Sequence, residues 1–557
     1  MIAALAVSVS AQNSQLGNVR FETSGSEKAQ ASFLRGLAAL HSFWYEEALE
    51  AFRESTKIDP DFMMGYWGEA MAHNHPLWSE QDASAARLVI VKFRETSKLT
   101  QRERDYLNAV KLLYADGGDT DKRARDAAYS AAMEKVYRAY TDDLDAAAFY
   151  ALSLLGLVRM DEKSYRLQAQ AGAIALDVYR KNPNHPGAAH YIIHAFDDPE
   201  HAILALPAAR RYADIAPEAH HARHMPAHIF LQLGMWPEAA ASNESAWQAS
   251  DRWVKRRNLS ITKRDYHSLH WLLYVYLQQG RCRKAEELLT LMKQTMSEST
   301  YDDKLRPGYY ENNYANMAAA FIVETERWEL ATRLFPASSV EGPVAESAAL
   351  SGHGGHSAPQ ASSSSSSTAV SGDGPMTVRA SNRSQTLPLF VRGLAGAVSG
   401  SAEAEKSLIA LKAVPRSGGP SAAMLGIREL EIAALMAAMQ QDYDKAITSM
   451  NQATSLEEAM GPPSGPPGLI KPSHELYGEI LLRAGRPRDA AEQFRIALLR
   501  QPNRARSLLG LARAAAKNGD RAGASAAYGR LLDQWQQADE GLPELSEAQD
   551  YLKQTKP

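Results

Sequence analysis

Residues 29–60 carry two apolar patterns of helical period joined by a short turn and closed by Pro60. That spacing predicts a helical hairpin. Gly36 and Ala48 are small enough to let the two helices approach closely, Phe52 fills the gap, and Pro60 opens the next unit. The same turn pattern recurs from Gly234 to Ala239, Gly280 to Ala285, Arg327 to Ala331, Gln441 to Ala446, Gly485 to Ala490 and around Gly519. Pro183 and Pro217 are 34 residues apart. Residues 62–180 follow the pattern loosely, and about ten to twelve helical pairs are expected in all.

A small residue, an alanine, an aromatic and a proline at fixed offsets, as in Gly36, Ala48, Phe52 and Pro60, resemble the tetratricopeptide repeat (TPR), a unit of about 34 residues. The resemblance implies an all-α, right-handed superhelix of antiparallel helix pairs. The first helix of each pair would line a concave groove, because no unit buries its apolar face alone. The expected organisation is an N-terminal helical array over residues 26–336, a Ser/Gly-rich linker without helical period over 337–387, and a C-terminal array over 388–545. A second break, Gly461 to Gly468, is too rich in proline and glycine for a helix and reads as an ordered loop.

Composition narrows the partners. The chain has 557 residues, with 61 Lys+Arg against 65 Asp+Glu, and it lacks a sustained basic run of the kind that grips nucleic acid. A single cysteine, Cys282, excludes an intramolecular disulfide framework and a cysteine-held cluster within the chain. Beyond the N-terminus no run of about 18 apolar residues predicts a membrane span. Residues 1–11, ending in Val9-Ser10-Ala11, read as the latter part of a secretory signal without its basic start, so a periplasmic or secreted chain beginning near Gln12 is expected.

Histidine placement adds chemistry to this scaffold. Ten of the sixteen histidines lie between His185 and His270, where even scatter would place two or three. With the alanine of each turn set at repeat position 20, His190, His224 and His270 share position 5. His194 and His228 share position 9, and His221 and His267 share position 2. In the TPR resemblance, positions 2, 5, 9, 12 and 13 face the groove. His190/His194 and His224/His228 are also i, i+4 pairs, a spacing that lets two imidazoles reach one metal ion. Asp197 falls at position 12, while Asp198, before Pro199, suits an N-cap. Position 5 continues as Asn316, Glu431 and Glu475, with Glu479 at position 9. Tyr266, Tyr274, Tyr309, Tyr310, Tyr314, Asn312 and Asn313 make the middle repeats rich in aromatic and amide groups.

Two functions fit this pattern. One is a scaffold that holds a protein, a peptide or a small ligand in the groove, with His221, His267, Tyr266, Tyr274, Asn313, Asn316, Glu431, Glu475 and Glu479 as contacts. The other is a metalloprotein binding Zn, Cu or Fe through His190, His194, His224, His228, His270 and Asp197, acting as an oxidoreductase or hydrolase. Two facing HxxxH helices are similar in spacing to coupled binuclear copper proteins, but none of the other local motifs of those proteins is present. His75 is a weaker candidate, suited to turn capping, and His353 and His356 fall in the linker. The stretch from His190 through His228 to Asn243 resembles exported bacterial TPR-containing proteins, which implies a fold and no reaction. It departs from the plain repeat at Asp197-Asp198-Pro199 and in about a dozen extra residues at 251–262.

Overall fold

A computed structural model describes residues 15–115 except 79, 121–158, 164–298, 308–336, 380–416 and 419–555 except 462, 464 and 467. The expected signal segment and most of the expected linker, with His353 and His356, lie outside the described residues. The described chain is helical apart from irregular turns and a two-stranded antiparallel ribbon pairing Asn74–His75 with Glu80–Gln81. Helices pack as successive antiparallel pairs, so the architecture is the all-α TPR superhelix that the pattern predicts. Among the described residues no helix is long and apolar enough to cross a membrane.

Close approach between helices depends on glycine facing an aromatic ring. Phe52, on the Tyr45–Ile58 helix, is wedged between Gly36 and Gly68, and a Cβ at either glycine would fall within 2.8 Å of the ring. Phe494 repeats the arrangement between Gly478 and Gly510. A methyl group at any of these glycines would force the helices apart.

The turn inside each hairpin has a fixed geometry. Repeat position 15 is left-handed at Gly234, Gly280, Gly485 and Gly519, with φ between 65° and 81°. The same conformation is imposed on Phe43, Glu326 and Gln441, with φ of 53°, 53° and 64°. A side chain there costs about 1–2 kcal/mol; Phe43 is held by burial, whereas Glu326 and Gln441 are exposed and are held by the turn between their helices.

One boundary differs from expectation. The Ala380–Ser399 helix begins inside the segment expected to be linker, and Pro388 lies within it. Its Ser- and Asn-rich first turns conceal the helix in the sequence.

The C-terminal repeats fold back onto the N-terminal ones. Trp236 Nε1 donates to Asn503 O at 2.9 Å, and Trp535 Nε1 to Gln278 O at 2.9 Å. Fully buried Arg504 reaches Glu475 and Glu324, each at 2.7 Å, and Tyr274 Oη at 3.1 Å.

Candidate functional site

Three helix starts aim the histidines at one another. The Pro186–Ala195 helix is capped by His185, whose Nδ1 accepts Ala188 N–H, and Pro186 occupies the first turn, where its missing N–H is harmless. This helix presents His190 and His194 on one face. In the next repeat His220–His224 runs into Pro226–Gln232, broken at Pro226, and carries His221, His224 and His228. Asp265 caps Tyr266–Gln278 through Ser268 N–H and so fixes the helix bearing His267.

The result is two histidine trios, in each of which the nearest ring nitrogens lie within 4.8 Å of one another. In the first, His190 Nε2 lies 3.0 Å from His194 Nε2 and 3.2 Å from His221 Nε2. His190 Nδ1 donates to the backbone oxygen of His41 at 2.7 Å, so in the neutral ring Nε2 keeps a lone pair facing the other two.

The second trio is His224, His228 and His267. His224 Nδ1 donates to Asn243 Oδ1 at 2.7 Å, an orientation fixed because Asn243 Nδ2 donates to Ala239 O. His224 Nε2 is buried and makes no hydrogen bond among the described residues. His228 Nδ1 donates to Asp197 Oδ2 at 2.7 Å. The trios adjoin: the rings of His194 and His228 are 5.9 Å apart, and those of His221 and His224 are 6.1 Å apart.

Burial, reinforced by the neighbouring imidazoles, holds His190, His194, His221 and His224 well below the ordinary histidine pKa. All four are therefore neutral at pH 7. Phe43 packs edge-on to His190 with centroids 4.3 Å apart, and Trp271 covers His228 at 4.3 Å and His224 at 4.9 Å. The strained turn at Phe43 thus closes one side of the first trio.

Both trios have the same construction. Positions 5 and 9 of one repeat meet position 2 of the next: His190, His194 and His221, then His224, His228 and His267. The steps from position 9 to the next position 2 are 27 and 39 residues, and the difference is the twelve-residue insertion at 251–262. The third member is the one that sequence register alone misassigns, because it depends on packing between neighbouring hairpins. His270, expected as a ligand, is half-buried and falls outside both trios. Asp197, also expected as a ligand, sits behind His228 and orients it, because its carboxylate is taken up by His228 and Gln232.

The remaining expected groove residues do not converge on the histidines. Glu475 and Glu479 flank Lys471, at 3.1 and 2.6 Å, and Glu475 also takes Arg504. Glu431 is buried and accepts Ser473 Oγ at 2.6 Å, and burial pushes its carboxyl well above the usual range. Tyr266 is buried with its hydroxyl on Ile261 O, and Tyr274 is buried against Arg504. Asn313 and Asn316 donate to carbonyls of their own helix, Tyr309 O and Asn312 O. His75 is stacked on Tyr45 and paired with Glu80 in the ribbon, where it caps no helix. Asp198 does serve its turn, accepting from Glu200 N and His201 N.

A third cluster, His41, Asp145 and His185, is fully buried and equally tight, yet its chemistry differs. Because His185 Nδ1 accepts Ala188 N–H, its Nε2 carries the proton; that nitrogen lies 3.4 Å from Asp145 Oδ1 and makes no hydrogen bond among the described residues. His41 Nε2 lies 2.9 Å from the same oxygen, and burial lowers the His41 pKa to about 4. This is a hydrogen-bonded anchor holding His41, whose carbonyl orients His190.

Models of the tetratricopeptide repeat match residues 29–62 and 478–539. The chain contains tetratricopeptide repeats. Their presence near both ends of the array supports an interaction scaffold with a protein partner. Among curated proteins none matches. Similar solved structures include a tetratricopeptide repeat protein from Parabacteroides merdae ATCC 43184, at 13% identity over 60% of this chain and 97% of that one, with a TM-score of 0.31. Yeast Tom70 is similar at 11% identity over 94% of this chain and 89% of that one, with a TM-score of 0.34.

Proposed function

We propose that this TPR scaffold is a metalloprotein, holding one first-row transition-metal ion in each histidine trio as an adjacent pair. The observation that carries this reading is the convergence of three Nε2 atoms, 3.0 and 3.2 Å apart, around a His190 ring whose only N–H is committed to a carbonyl. One lone pair accepts one good hydrogen bond, so only one of His194 and His221 can donate well to His190 Nε2, whereas a cation among the three rings would satisfy all three lone pairs. Tetrahedral coordination at about 2.0–2.1 Å separates ligand nitrogens by about 3.3 Å, close to what is seen.

The surroundings of each ring agree with this. His190, His224 and His228 donate Nδ1–H to a carbonyl, an amide oxygen and a carboxylate, the outer partners that fix a metal-binding tautomer. Neutral imidazoles suit Zn, Cu or Fe and not Mg or Ca. Three protein ligands per ion leave a coordination position open, which is the pattern of sites that bind or activate a small ligand rather than of purely structural ones. Bound there, such ions would supply Lewis-acid or redox chemistry to a small ligand.

The test is elemental analysis of untagged full-length protein purified without chelator and then offered Zn, Cu and Fe separately, beside the His190→Ala/His224→Ala double variant. Two equivalents of one metal in the wild type and none in the variant are expected. Wild type that takes up none of the three metals would overturn the reading and leave the scaffold function alone.

A further inference from the structure

Pro463 and Gly465, in a loop that belongs to the C-terminal repeats, reach the second trio by two separate routes. Along the first, Gln232 Nε2 donates to Pro463 O at 2.8 Å and to Asp197 Oδ1 at 3.2 Å, and Asp197 Oδ2 receives His228 Nδ1–H. Gln232 is buried, and its two amide hydrogens are divided between the loop and the carboxylate. Along the second route, Gly465 lies flat against Trp271, where a Cβ would come within 2.5 Å of the ring, and Trp271 in turn covers His224 and His228. Gly465 has φ of 111°, which excludes other residues at that point without strain. The loop is itself tied to the C-terminal block, because Arg500 Nη2 donates to the carbonyls of Glu457, Met460 and Gly461.

Among the described residues the first trio has no such hydrogen bond or ring contact to the C-terminal repeats. Its supports are His41 O, Phe43 and the His41–Asp145–Tyr191 hydrogen bonds, all from the N-terminal array.

We propose that the contacts of Pro463 with Gln232 and of Gly465 with Trp271, made when the C-terminal repeats dock, set the metal affinity of the second trio, with Gln232 and Gly465 as positioning residues, while the first trio binds independently of those contacts. This rests on the metal reading above. The two sites then have unequal affinities that respond to different parts of the chain, and a partner that engages the C-terminal repeats controls the occupancy of one ion and spares the other. Removing an outer-shell partner of a metal-bound histidine typically weakens binding by about 10–100-fold.

The experiment uses the full chain in two backgrounds, His190→Ala, which leaves the second trio intact, and His224→Ala, which leaves the first. Each is loaded with Co2+ and followed by its visible absorption during titration with a chelator. Gln232→Ala and Gly465→Val are introduced separately into both backgrounds. Each is expected to weaken Co2+ retention by about 10–100-fold and alter the absorption band in the His190→Ala background only. Trp535→Phe, which removes the hydrogen bond to Gln278 O between the same two blocks, is the control and is expected to change neither. Retention unchanged by Gln232→Ala and Gly465→Val, weakened equally in both backgrounds, or weakened equally by Trp535→Phe would overturn the proposal while leaving the metal reading intact. Absence of Co2+ binding in the otherwise unmodified chain would overturn the metal reading itself and this inference with it.

Discussion

His190 Nδ1 and the carbonyl oxygen of His41 are 2.7 Å apart across 149 residues of chain, and this bond decides which nitrogen of His190 faces the other histidines. The acceptor is a backbone atom positioned by the His41 side chain, whereas the donor is the ring itself, so loss of the His190 ring removes both the bond and the convergent lone pair.

Each trio is therefore expected to lose its ion independently. His190→Ala and His224→Ala, taken singly, should each halve the metal bound per chain, as counted by elemental analysis, while helical content measured by circular dichroism stays unchanged. Loss of both ions from either single variant would show that the trios are one cooperative site.

The third histidine cluster should prove silent toward metal. His185→Asn keeps an N-cap acceptor for Ala188 N–H and removes the imidazole near Asp145. Metal content should equal that of the wild type. Loss of an ion in this variant would contradict the tautomer assigned to His185.

Joining the two blocks makes the protein sensitive to acid. Burial alone pushes the Glu475 carboxyl up, but the charges of Arg504 and Lys471 and hydrogen bonds from Arg504 and Ser507 outweigh it and hold it down to about 2. Its ordinary value is near 4.5. A depressed folded-state value stabilises fully above pH 4.5, and that contribution disappears as pH falls from 4.5 toward 2. Urea midpoints measured across that range should fall more steeply for wild type than for Glu475→Gln. At pH 7 the variant should be less stable by about 3 kcal/mol, because Arg504 loses a buried partner. Parallel pH profiles for the two proteins would refute this assignment.

Gln441 offers a gain. It is exposed and held at φ of 64°, where sister repeats use glycine. Gln441→Gly should raise stability by up to about 1 kcal/mol, read as an increase in the urea midpoint. A decrease would mean that the flexibility added to the unfolded chain exceeds the strain relieved.

Much of this was legible in the sequence. The recurrence of Gly36, Ala48, Phe52 and Pro60 announced helix pairs, and the 34-residue register placed His190, His194, His224 and His228 on one surface. The register could not show that each pair recruits its third histidine from position 2 of the next repeat, because that choice is made by packing between hairpins. It also hid the limit of the series. One repeat further along, the corresponding residues are His270, Tyr274 and Asn313, so the pattern of three histidines stops at two. Glu475 and Glu431 occupied the right register yet serve buried ion pairing and hydrogen bonding within the C-terminal repeats, with Lys471 and Arg504 and with Ser473, partners that side-chain packing and not register selects.

The bond between Gln232 and Pro463 spans 231 residues, which gives the molecule an order of assembly in time. On a ribosome adding about 5–20 residues per second, Gln232 emerges roughly 10–50 s before its partner. All six trio histidines are out of the tunnel well before Pro463, so a nascent chain passes through an interval in which the first trio has every support it will have and the second has none of its contacts from the loop. On the metal reading, an ion captured in that interval would meet two unequal sites, the later one finished only after Pro463 and Gly465, in the last fifth of the chain, have been made.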